Sequence, residues 1–292
     1  MKNFINYYYN LSIDNLRKRD NIFIFEFNGV EYEFLPYTYS LSDLSKIYYL
    51  LIQNNRYVHE IIYNKDNSIM SFCNNLPYVL IKKNYNLGDV IELETIVKYN
   101  FKVNSNFHLN WKELWQNKIN YYEYQVKEIG FKYKNIKESF YYYLGLSELA
   151  ISIINYINEE EIFPYISHRR IKYNETYDTF LNPLNIIIDT RVRDIAEYIK
   201  ANFFEGNIDT NNLIYILQLL DINKSEALLL LSRLIYPSYY FDMYDKIIAE
   251  KIDNMKINVY IEKNVYFETF LKEVYKYFKV KYNIPLIEWF EY

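Results

Sequence analysis

The hydrophobic pattern of this chain changes period once, near residue 83, and that change limits the folds open to it. Before it, short segments alternate. Ile22, Ile24 and Glu26 fall on one face of an extended chain and Phe23, Phe25 and Phe27 on the other, and Val30, Tyr32 and Phe34 resume the alternation after Asn28-Gly29. Period two marks a strand, and Asn-Gly supplies the two left-handed residues of a tight hairpin turn. Residues 57–62, 68–73 and 78–81 read as three more strands, with turns at 64–67 and 74–75. Between the two groups Leu44, Ile47, Tyr48 and Leu51 recur at helical spacing behind a cap at Ser40 or Ser42. The first 82 residues therefore predict a small antiparallel sheet carrying one helix.

After Lys82-Lys83-Asn84, read as a solvated hinge, the period is helical. Helices are predicted over residues 89–100, 111–128, 139–158, 192–202, 211–220, 224–236, 239–251 and 265–279. Residues 139–158 are apolar on more than one side, which predicts a buried central helix. Pro237 ends the helix before it. The domain reading is 1–82, β-rich with one helix, and 83–292, helical.

Composition narrows the function classes. A net charge of −4 leaves no electrostatic footprint for nucleic acid or an anionic membrane. A single cysteine, Cys73, excludes an intramolecular disulfide and a Cys-rich zinc site. No run approaches eighteen apolar residues, so no membrane span is predicted. The N-terminus lacks a signal peptide's apolar region and cleavage site, and a cytoplasmic setting is expected. The 36 tyrosines stand against 5 glycines and 6 prolines, which reads as AT-rich coding rather than aromatic function. Their rings should lie half-buried with the hydroxyl at a polar partner or water. His59 and His108 are isolated from other ligand types and read as structural or surface residues.

One stretch, residues 166–199, places chemistry-bearing residues at a meaningful spacing. It runs His168-Arg169-Arg170, then Glu175, an apolar segment ending in Asp189, and the helix start Arg193-Asp194-Ile195-Ala196. The spacing resembles the catalytic loop of protein-kinase-like phosphotransferases, in particular the aminoglycoside and choline phosphotransferase branch. There the pattern is H-x-D-x-x-x-x-N followed by an apolar strand ending in a magnesium-binding Asp. His168 falls on the His, Arg170 on the Asp, Glu175 on the Asn and Asp189 on the metal ligand. Trp111-x-x-Leu114-Trp115, Glu138-Ser139-Phe140 with Tyr142, Gly145 and Glu148, and residues 233–237 with Tyr240-Phe241 add a second likeness. They resemble the spore-coat-associated kinase-like proteins of spore-forming Firmicutes, from about residue 55 to 280. The resemblance implies an α+β, two-lobed kinase-like fold, with a small antiparallel-sheet N-lobe and a larger helical C-lobe. It also implies that His168, Arg170 and Asp189 meet at the cleft.

The departures decide the functional expectation. The kinase Asp accepts the substrate hydroxyl's proton, whereas Arg170 stays protonated and has no acceptor. The metal-holding Asn is Glu175, or Asn174 one place off. The first hairpin has only Gly29 in place of a glycine-rich phosphate cover, and residues 30–37 contain no phosphate-pairing Lys. The expectation is a pseudokinase, needing no cofactor, that binds an unidentified protein partner or a coat assembly. The alternative is a divergent small-molecule phosphotransferase using ATP and Mg²⁺ at Asp189 and Glu175. Arg170 is expected to pair with Asp189 or Asp194 where the metal would sit, and Asp194 to anchor the loop. A sharper reading makes Arg169 and Arg170 an anion site for a phosphorylated partner.

Overall fold

The computed structural model describes residues 1–84, 88–104, 110–206, 210–218 and 220–291. His108, and residue 219 within the predicted helix 211–220, lie outside these. In chain order the elements are α1 (Lys2–Tyr9), β1 (Arg17–Arg19), β2 (Ile22–Phe27), β3 (Val30–Pro36), α2 (Leu41–Gln53), β4 (Glu60–Ile62), β5 (Ser71–Cys73), β6 (Leu76–Lys82) and α3 (Leu93–Tyr99). Next come α4 (Trp111–Glu128), α5 (Lys134–Ile154), β7 (Tyr165–His168), α6 (Tyr177–Phe180), β8 (Ile186–Asp189) and α7 (Val192–Phe204). The chain closes with α8 (Thr210–Gln218), α9 (Lys224–Ile235), α10 (Ser238–Ile248) and α11 (Asn258–Tyr282). No helix among the described residues is long and apolar enough to cross a membrane.

The chain forms two compact units. The first holds residues 1–101, 166–170 and 174–188. Its antiparallel sheet has the order β1-β2-β3-β6-β4, with β5 also paired to β6. The hairpin predicted at Asn28-Gly29 is present. Phe27 faces Val30 across it, and Asn28 and Gly29 sit at φ 52° and 74°. A Cβ on Gly29 would meet nothing within 4 Å, so the backbone conformation alone calls for glycine. Ser40 is the α2 cap, accepting from the Asp43 amide at 3.3 Å.

The sheet is buried on both faces. Phe34, Tyr78 and Leu80 pack with Ile5 and Tyr9 of α1, while Leu35, Val79 and Ile81 pack with Leu44 of α2 and with Leu184. Neither α1 nor β1 was predicted. An eight-residue helix of mixed polarity has little periodicity to read, and Arg17-Lys18-Arg19 is exposed throughout.

Lys83 corrects the solvated-hinge expectation. Its side chain is 9 % exposed, and its Nζ lies 2.7 Å from Glu33 Oε1, 3.0 Å from Glu31 Oε1 and 2.7 Å from Asp178 Oδ2. Asp178 belongs to α6 and also faces His59, whose Nε2 lies 2.8 Å from its carbonyl oxygen and 3.4 Å from Oδ1. His59 is buried and structural. Burial works against the charged Lys83, but bonds to Asp178, Glu33 and Glu31 prevail and raise its pKa. Burial likewise pushes the Asp178 carboxyl up, yet His59 and Lys83 outweigh it and hold the group below its ordinary value.

The second unit holds residues 102–165, 171–173 and 189–292. Its centre is α9, which packs against α5, α7 and α11. Eleven of the twelve α9 residues are buried, whereas α5, the helix expected at the centre, keeps Tyr141 and other side chains exposed. The leucine run 228–231 leaves α9 no polar face. Ser232 Oγ donates to the Ala150 carbonyl at 2.6 Å, and Asn223 and Glu226 form a reciprocal capping box. Around α9, Trp115 stacks on Tyr236 at 4.3 Å and Tyr122 on Phe241 at 4.4 Å.

Two outcomes follow. Leu230→Ala should cost about 2–5 kcal/mol in denaturant unfolding, whereas Leu286→Ala, at a site 58 % exposed, should stay within about 0.5 kcal/mol. Lys83→Met should lose on the order of 2 kcal/mol at neutral pH, since it leaves part-buried carboxylates uncompensated. Asp178 is depressed in the fold, so its share of stability is present above about pH 4 and is lost as pH falls through the lower folded value. The Lys83→Met deficit should therefore shrink in strong acid; an equal deficit at neutral and acid pH refutes the charge pairing.

Candidate functional site

His168 ends β7 and is 1 % exposed. Its imidazole stacks on Phe180 at 4.0 Å and tilts toward Tyr99 at 5.8 Å, so the ring is packed among aromatics. Arg169 is used inside the first unit. Its amide donates to the Asn185 carbonyl at 2.8 Å, Nε donates to the Leu184 carbonyl at 3.3 Å, and the guanidinium lies 3.5 Å from the Tyr39 ring centre. Arg170 follows it and is exposed.

Asn174 adopts φ 53°, a left-handed turn position that asparagine tolerates. Glu175 is buried, and its carbonyl accepts from the Ile91 amide at 2.8 Å beside the Val90–Thr176 bridge. His168, Arg170 and Glu175 belong to the first unit and Asp189 to the second.

Asp189, the last residue of β8, is 2 % exposed and elaborately bonded. Its Oδ1 accepts from the Thr190 amide at 2.6 Å, Thr190 Oγ1 at 3.3 Å and Arg233 Nη2 at 2.8 Å. Its Oδ2 accepts from Arg193 Nη1 at 2.8 Å. The side chains of Arg233 and Arg193 are 6 % and 14 % exposed. Trp111, at the start of α4, covers Arg233 with its ring centre 4.1 Å from the guanidinium carbon. Lys200 steadies the end of α9, donating to the Arg233 carbonyl at 3.1 Å and to Ser238 Oγ at 2.8 Å. Burial lowers the Arg233 pKa, with Asp189 opposing and Arg193 adding to the fall.

The positive charges found on Asp189 are those of Arg193 and Arg233, whereas the sequence pointed to Arg170 as a partner of Asp189 or Asp194. Arg193 was legible as the residue four places after Asp189. Arg233 had a weaker signal. A lone Arg in the run Leu-Leu-Ser-Arg-Leu-Ile, residues 230–235, must be buried against an opposite charge, but nothing local says which. Asp194 is fully buried in the first turn of α7.

This arrangement favours one chemistry over another. A magnesium ion needs several oxygen ligands in octahedral geometry. Here each carboxylate oxygen already bonds a guanidinium, and two fixed cations at hydrogen-bond distance repel a third. Among the described residues, no group of three or more His, Cys, Asp or Glu side chains is arranged to hold a metal ion.

Residues 2–277 match a family model described as "Spore coat putative kinase YutH". The endospore coat-associated protein YutH of Bacillus subtilis (strain 168) is 25 % identical over 242 residues, 71 % of this chain and 70 % of that protein. Among solved structures, an aminoglycoside phosphotransferase from Alicyclobacillus acidocaldarius is similar with a TM-score of 0.62 and 13 % identity, covering 93 % of this chain and 94 % of that one. Choline kinase LicA from Streptococcus pneumoniae is similar with a TM-score of 0.54 and 10 % identity, covering 93 % and 97 %. At such identities the solved structures show the fold alone, an α+β kinase-like fold with an antiparallel sheet in the N-terminal region and a mostly helical remainder. With nearly its whole length matched by that model, the chain belongs to the YutH family of kinase-like spore coat proteins.

Proposed function

We propose that this chain keeps the kinase-like fold without phosphoryl transfer and acts as a binding or scaffold protein associated with the spore coat. The observation that carries the reading is Asp189, whose two oxygens are held by Arg233 and Arg193. A carboxylate so engaged serves as the anchor of an ion-pair network, not as an open metal ligand. Arg170, standing where the resemblance puts the proton acceptor, supports the same conclusion, since a guanidinium cannot take a proton. The coat as location and assembly as partner rest on the relative named endospore coat-associated protein. The competing reading is a small-molecule phosphotransferase using ATP and Mg²⁺ at Asp189 and Glu175. It draws on similar structures such as spectinomycin phosphotransferase in complex with ADP and spectinomycin.

Thermal unfolding with and without ATP and MgCl₂ separates the two. A nucleotide at one hundred times its Kd adds about 2.7 kcal/mol; the expected gain here is none. A gain that needs both ATP and Mg²⁺ and disappears in Glu175→Gln would establish the phosphotransferase reading instead.

The role of Asp189 gives a second test. Asp189→Ala should cost about 3–5 kcal/mol, because it strands a buried guanidinium. Asp189→Ala with Arg233→Met should recover part of that loss, giving a coupling energy in a double-mutant cycle. A variant that loses phosphate transfer while keeping full stability would identify Asp189 as a metal ligand.

A further inference from the structure

Beside the Asp189 network two buried donors lack an acceptor. Arg233 Nε and Trp111 Nε1 are both shielded from solvent, and neither has a hydrogen-bond partner among the described residues. Each carries its proton permanently, so no flipped ring or alternative tautomer can turn either into an acceptor. A buried donor without a partner pays its full desolvation, and folded proteins rarely keep such groups. These two are neighbours, since the Arg233 guanidinium carbon lies 4.1 Å from the Trp111 ring centre. The Arg193 guanidinium is 5.8 Å from the same ring.

The reason Arg233 Nε is left over lies in how Asp189 divides itself. A guanidinium presents Nε and one terminal nitrogen as a fork that fits both oxygens of one oxyanion. Asp189 gives Arg233 Nη2 only Oδ1, because Oδ2 turns to Arg193. Half of the fork is therefore filled and half is open. Other charges nearby do not fill it. Glu197 acts on Arg233 only through space, and its Oε1 lies 3.3 Å from Lys200 Nζ.

We propose that Arg233 Nε and Trp111 Nε1 are the donors of a binding site for a small oxyanion, a phosphate or carboxylate group, uncovered when the Trp111 indole lifts from the guanidinium. Donors alone, with two guanidiniums alongside, select a negatively charged acceptor over a neutral one. Arg233 itself is 5 % exposed, so the anion is held in a low-dielectric setting once admitted. The cover can move cheaply. Trp111 is the first residue of α4, it is only part-buried, and its Asn110 cap makes no side-chain bond to the helix. Rotation of one side chain then opens the cluster without unfolding a turn. No metal and no phosphoryl transfer enters, so the site stands independently of the function proposed above.

The test follows the indole N–H groups by ¹H–¹⁵N NMR. The chain has three tryptophans, and the Trp111 signal is the one missing in Trp111→Phe. Inorganic phosphate and, in parallel, acetate are titrated at constant ionic strength in EDTA. A saturable shift of the Trp111 signal is expected with at least one of them, and the arm that responds identifies a phosphate-type or a carboxylate-type ligand. Trp111→Phe keeps a ring over Arg233 but removes one donor, and should weaken phosphate or acetate binding about tenfold by calorimetry. Arg233→Lys keeps the charge, removes the fork and should abolish saturation. No saturable shift in either arm, or the same shift with sodium chloride alone, overturns the proposal and leaves the donors to water; so does a shift that appears only when Mg²⁺ replaces EDTA. If Arg233→Lys does not fold, the unmodified chain and Trp111→Phe decide.

Discussion

A buried carboxylate shared by two arginines holds the second unit's helices in register. Asp189 comes from the end of β8, Arg193 from the start of α7 and Arg233 from the end of α9, so one side chain ties three elements together. Removing Asp189 alone would leave the two guanidiniums without their carboxylate, which is costlier than never having built the network. The same residues therefore fix structure and limit chemistry. The carboxylate that the sequence pattern offers to a metal accepts from a guanidinium on each of its oxygens.

Around this network the packing is aromatic to an unusual degree, and it makes structural use of the tyrosine-rich composition. Tyr143 stacks on Tyr240 at 3.7 Å, while their hydroxyls meet Asn264 and Ser139. Tyr122 lies flat on Phe241 and donates to Asp245, and Tyr142 donates to Glu268. Burial pushes the Tyr240 phenol up to about 12, so it remains a neutral donor at any physiological pH. These rings behave as amphipathic packing residues whose polar tip finds a partner, as the composition suggested. Not every polar tip is so served: among the described residues the buried Trp111 indole N–H and the Tyr239 and Tyr244 hydroxyls have no such partner.

The first unit answers a different constraint. Its sheet is apolar on both faces and needs a cover on each. The helix between β3 and β4 provides one, and α1 provides the other. Segment 174–188 is drawn to this unit by Leu184 in the apolar cluster and by Asp178 against Lys83 and His59. A lysine surrounded by three carboxylates looks from sequence alone like part of a solvated Lys-Lys pair, since none of its partners is within forty residues of it.

Local signals were read directly from the sequence. Asn28-Gly29 specified its hairpin because only left-handed residues close a two-residue turn. Residues 111–128 specified α4 to its ends, and residues 224–235 lie within the helix expected for α9, because apolar periodicity and caps are properties of neighbouring residues. The spacing from His168 to Asp189 carried the fold family. Which helix lies at the centre, which arginines meet Asp189 and which carboxylates surround Lys83 were decided only by the tertiary structure. Each depends on a charge or apolar face finding its complement far along the chain: Arg233 is 44 residues from Asp189 and Lys83 is 95 from Asp178. Coulomb energy and burial act on distance in space, and sequence spacing records that distance only within a helix turn or a hairpin.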